Sequence, residues 1–265
     1  MLALLTATGA GAQGVAFALF DGWETEASLH HLDLETGALI RIGPVGRPCT
    51  NIDFDAAGAL YGIDPVNSQL ILIDAMTASS SPIGALGGSI AEVTGLTFDT
   101  AGRLWMAARD DALGPSLFEV DRDTGAAVWV SAVDEAYFGA LASTGGTVFT
   151  ASDILATMDT TTGVVTPVPG SDLGIWWTRA LDFDDLGTLR GLLLCGPCAA
   201  PWDVLIVNPI DFNTGTLTGD SLFASHGTWG LAILHGGIFL DGFESGDLTA
   251  WSAGTGALSQ IVSVD

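Results

Sequence analysis

Cys195 and Cys198, in "LCGPCAAPW" (194–202), have the spacing of a redox-active dithiol. Such a pair works when its first thiol lies at a helix N-terminus, whose dipole lowers the thiol pKa. Here Pro201 and the β-prone run "VLIV" (204–207) follow at once, so no helix can start there. The two cysteines therefore read as a local disulfide of an exported protein, with Cys49 left over. A zinc site is poorly supplied by three Cys and four scattered His, namely His30, His31, His226 and His235. There is no GxSxG elbow and no HExxH. Gly9, Gly11 and Gly14 spell GxGxxG with Asp33 downstream, but no βαβ pattern follows. The sequence assigns no catalytic residue.

The charge balance excludes whole classes of function. Thirty-one acidic residues stand against 7 Arg and no Lys, a net charge of −24. That charge repels phosphate backbones and anionic lipid heads, so nucleic acid is excluded as a partner. Without Lys, neither Schiff-base chemistry nor a Walker-type phosphate loop is available. The acidity serves solubility or cation binding, with Ca²⁺ as the cofactor to consider. Residues 221–240 carry no charged side chain over a length that would span a bilayer. Four Gly and two His dilute the segment and no basic stop follows, so no stable membrane span is expected. The first 13 residues, with a short apolar stretch and Ala-Gly-Ala before Gln13, read as part of a signal segment. A secreted or periplasmic location is expected.

The elements that must position any site emerge from two repeats. "DLETG" (33–37), "DAMTA" (74–78), "DRDTG" (121–125), "DTTTG" (159–163) and "DFNTG" (211–215) each follow an apolar run. Their chemistry is that of a tight turn: Asp accepts backbone hydrogen bonds and the final Gly takes positive φ. Ala78 replaces that Gly in the second copy, at a cost of roughly 1 kcal/mol if the position is left-handed. A second pattern alternates with the first. "NIDFDAAGALY" (51–61), "GLTFDTAGRLW" (95–105), "GALASTGGTVF" (139–149), "ALDFDDLGTLR" (180–190) and "GLAILHGGIFL" (230–240) align without gaps as strand, turn, strand. A period of roughly 40–45 residues holding four short strands is that of a β-propeller blade.

The chain is thus expected to be all-β, a propeller of five four-stranded blades. The turn pattern comes first and the strand pattern last. A strand near 230–234 should therefore join N-terminal strands near 15–20, 28–34 and 38–43, closing the ring without open edges. Ile238–Leu240 compete with residues 15–20 for the place beside it. The division is a signal segment at 1–13, a propeller at 14–240 and a C-terminal tail at 241–265. In the tail, Asp241, Glu244 and Asp247 are either Ca²⁺ ligands or part of a solvated acidic end.

Phe54-Asp55, Gly58, Leu60-Tyr61 and Ile73-Asp74 resemble the "FDxxGxLY…LxxIDxxTG" blades of secreted bacterial β-propeller repeat proteins. These are distantly similar to sugar lactonases and quinoprotein dehydrogenases. The tail "DGFESGD" (241–247) resembles a C-terminal segment of secreted Gram-negative proteins. The resemblance implies a fold and leaves the activity open.

In a propeller, the loops entering each innermost strand and those between the second and third strands share one face. On that face the reading places Trp23, Trp176, Trp177, Trp202, Trp229 and Tyr137, with acidic neighbours including Asp64, Asp110 and Asp134. Such rings either plug the channel or form a platform for a sugar ring or a cation. The expected function is a monomeric recognition module binding a small molecule, glycan or protein there. The alternative is a hydrolase or lactonase using Asn51, Asp53, Glu92, Arg179 and Asp182 around the channel, with Ca²⁺.

Overall fold

The computed structural model describes residues 15–20, 25–34, 37–134, 138–152, 154–171, 173, 176–195, 205–211, 216–217, 222–224 and 228–235. These form five antiparallel sheets and, among the described residues, no helix. From the axis outward, the first blade is β21 (Thr228–Leu234), β1 (Val15–Phe20), β2 (Ser28–Leu32) and β3 (Leu39–Pro44). The second is β4 (Thr50–Phe54), β5 (Leu60–Asp64), β6 (Gln69–Ile73) and β7 (Ser80–Ala85). The third is β8 (Ile90–Phe98), β9 (Leu104–Asp110), β10 (Gly114–Val120) and β11 (Ala127–Ala132). The fourth is β12 (Ala140–Thr144), β13 (Thr147–Ala151), β14 (Leu155–Met158) and β15 (Val165–Pro167). The fifth is β16 (Trp176–Phe183), β17 (Leu189–Cys195) and β18 (Leu205–Asp211), with β19 (Thr216–Leu217) and β20 (Leu222–Ala224) sharing the outer edge of β18.

The innermost strands β21, β4, β8, β12 and β16 touch in a closed cycle. Five apolar clusters fill the five seams between blades. Phe17 meets Phe54 across the seam between the first and second blades, at 5.3 Å between ring centres. Phe149 meets Phe183 between the fourth and fifth, at 5.5 Å. Ring closure follows the expected route: β21 pairs with β1 from Val15↔Leu234 to Phe20↔Thr228. Residues 15–20 hold the place for which Ile238–Leu240 were candidates. The segments 1–13 and 241–265 lie outside the described residues.

Both turn families work as their residue types require. Asp74, Asp121 and Asp159 each take two backbone amides of their own turn on Oδ1. The turn closes at Ala78, Gly125 and Gly163, with φ of 62°, 80° and 70°. Ala78 is therefore left-handed. Between first and second strands, Asp55, Asp99 and Asp184 cap the turn in the same manner.

Candidate functional site

The loop-face end of the innermost strands carries a ring of bulges. The pairing register shifts around Asn51 in β4, Thr94 in β8, Arg179 in β16 and Trp229 in β21. By the repeat alignment, Phe138 precedes β12 at the same place. A bulge leaves one residue unpaired and re-aims it, which is why bulges gather at barrel rims and sites. Asn51, at φ 49°, donates Nδ2 to Val93 O on the next blade at 2.9 Å. Thr94 donates its hydroxyl to Gly139 O, one blade further, at 3.2 Å. The rim is thus stitched blade to blade by the residues the bulges release.

Charge gathers beside it. Glu92 lies 3.8 Å from Arg109, its register partner on β9, and the Arg109 guanidinium sits 5.3 Å from the centre of the Phe138 ring. Burial pulls the Arg179 guanidinium down from its ordinary value while Glu92 opposes the shift. The group remains a cation, as guanidinium does in proteins. Below the rim the channel is narrow. Its cavity, lined by Asn51, Gly95, Leu141, Ala180 and Leu231 among others, has a volume of about 10 Å³, room for about one water.

The aromatic residues expected on loops are partly strand residues. Trp176 and Trp177 open β16, paired with Cys195 and Leu194, and Trp229 lies within β21. The correction has a physical cause: a bulge absorbs the extra residue, so ladder pairing continues past it toward the loop face. β16 and β21 are neighbours in the ring, so three Trp positions share one end of two adjacent innermost strands. Trp23, Tyr137 and Trp202 lie outside the described residues. Asp64 is buried: Oδ1 takes the amides of Val66 and Asn67, and Oδ2 takes the Asn67 side chain at 2.8 Å and faces Arg47 at 3.9 Å. Its oxygens hold its own turn.

Cys195 ends β17, and Cys198 lies outside the described residues. Cys49 is a buried free thiol against Gly62 and Ile52, and burial pushes its pKa well up.

The channel carboxylates turn toward backbone. Asp53 accepts the amides of Phe54 at 2.8 Å and Phe98 at 2.6 Å. Asp182 accepts those of Phe183 at 2.8 Å and Ile233 at 2.5 Å. Burial raises both pKa values, that of Asp53 to about 7, and the Asp53 charge raises Asp182 further. Among the described residues, no three His, Cys, Asp or Glu side chains gather at metal distance. Sequence reasoning missed the rim of bulges and the Glu92–Arg109–Phe138 cluster. The available signal was the residue just before each aligned inner strand, Thr94, Phe138, Arg179 and Trp229, whose types share no pattern.

No protein-family model matches the sequence, and neither does any curated protein. Solved structures do. A chain of the nidogen/laminin complex matches with a TM-score of 0.55 at 10% identity, over 83% of this chain and 98% of that one. A protein of unknown function from Bacteroides thetaiotaomicron matches at 0.50 and 16% identity, over 70% of this chain and 58% of that one. Virginiamycin B lyase from Staphylococcus aureus matches at 0.44 and 9% identity, over 80% of this chain and 70% of that one. These likenesses are of fold alone. No helix among the described residues is long and apolar enough to cross a membrane.

Proposed function

We propose that the protein is an exported recognition module that binds a glycan at the loop-face rim of the propeller. One observation carries the reading: Trp176, Trp177 and Trp229 stand at the same end of the adjacent strands β16 and β21, beside the bulge at Arg179. Flat indole faces suit the apolar face of a sugar ring, and the Arg179 guanidinium at the bulge carries the kind of directed donors such a site needs. The lactonase alternative is weaker, because Asp53 and Asp182 spend their oxygens on backbone amides rather than on a metal. The test is tryptophan emission titrated with a panel of neutral and acidic glycans and with Ca²⁺. Saturable quenching by one glycan, weakened at least tenfold by Trp229→Ala or Trp177→Ala, supports the reading. A panel without response, or a response that both variants leave intact, overturns it.

A further inference from the structure

Asp53 and Asp182 occupy the same repeat position on β4 and β16, the two innermost strands that flank β21. Each reaches over a seam to the next blade. Asp182 takes the amide of Ile233 on the closing strand, and Asp53 takes the amide of Phe98 on β8, with the Thr97 hydroxyl as a further donor. Both side chains are buried.

Among the described residues, no ion pair reaches either carboxyl. Arg190, the register partner of Asp182, gives Nε and Nη2 to Asp184 instead, both at 2.9 Å. Tyr61 is the register partner of Asp53. Asp55 adds negative charge beside Asp53, and Asp184 and Asp53 add it beside Asp182. The described parts of β12 and β21 bring no titratable side chain, and β8 brings only Glu92, at its rim end. The amides that each carboxyl accepts on both oxygens favour the ionised form, but burial without an adjacent counter-charge outweighs them, so the neutral acid is favoured more than it is in water.

We propose that these two carboxyls form a pair of acid-tightened clasps, Asp182 on the closing seam and Asp53 on the seam between the second and third blades, each holding its seam shut at mildly acidic pH and loosening it as pH rises through neutrality. When the seam opens, Asp182 meets water and releases its proton to solvent. Higher pH therefore favours the open form. The sign follows from linkage: a carboxyl whose folded pKa exceeds its unfolded value binds more protons folded, so stability falls with rising pH across that interval. For each group the unfolding constant grows up to about tenfold per pH unit inside its window. His31, whose pKa burial lowers, works in the opposite direction below about pH 6.5.

The experiment compares wild type, Asp182→Asn, Asp53→Asn and the exposed control Asp111→Asn between pH 5 and 8, in about 1 M salt, where the screening length is about 3 Å. Denaturant unfolding and hydrogen exchange at the Ile233 amide, corrected for intrinsic rate, are read together. Each Asn variant at the clasp should lose up to about tenfold per unit of the wild-type pH dependence, while Asp111→Asn keeps all of it. Wild-type protection at Ile233 should fall as pH rises. The clasp is overturned if both Asn variants keep the wild-type slope. If neither variant folds, Ile233 protection that stays level or rises with pH overturns it equally.

Discussion

Gly125 lies against the backbone of Gly84, one blade back, so closely that a Cβ on Gly125 would stand 2.5 Å from the Gly84 carbonyl oxygen. The contact recurs around the ring. Two further third-to-fourth-strand turns rest in the same way on the outer strand of the preceding blade, Ala78 on Gly43 and Gly163 on Ser131. Gly125 also has φ 80°. Gly125→Ala therefore meets both left-handed strain and a backbone clash, and should cost about 3 kcal/mol. Denaturant midpoints at unchanged slope measure it.

Ser131 illustrates the opposite case. Its hydroxyl is buried under the Gly163 turn without a hydrogen-bond partner among the described residues. Removing a buried unpaired hydroxyl recovers its desolvation cost, so Ser131→Ala should stabilise the protein by about 1 kcal/mol. A lower denaturation midpoint in Ser131→Ala would contradict the packing described.

Asp184 and Arg190 form the most enclosed ion pair described, with side chains 0% and 10% exposed. Asp184→Ala removes the carboxylate that takes two guanidinium N–H groups of the nearly buried Arg190, and should cost about 3 kcal/mol. The equivalent Asp99→Ala costs less, because Arg103 is half exposed and recovers its hydration. Thermal unfolding of the two variants side by side gives the order, and equal losses would show that burial does not set the cost.

Cys49 should be silent to thiol reagents in the native state and react in denaturant. Its thiol is fully buried and burial raises its pKa, while the reactive species is the thiolate. Labelling followed by peptide mapping separates it from Cys195 and Cys198. Rapid native labelling at Cys49 would mean that the seam around it opens.

The repeat and its turns were legible in the chain because their chemistry is local. Asp121 bonds amides two and three residues on, and Gly125 closes the same five residues. The five copies, and the order in which the two patterns begin and end, also determined the closing partnership of 15–20 with 230–234. What only the tertiary structure decided lies across the seams. Asn51 bonds Val93, Asp53 bonds Phe98 and Asp182 bonds Ile233, over separations of 42, 45 and 51 residues. No local pattern marks those pairs. The bulges that bring Thr94, Arg179 and Trp229 to the rim depend on how many residues each innermost strand must fit against its neighbour. That count is set by the packing of five blades around one axis, which is why Trp176 and Trp177 read as loop and fold as strand.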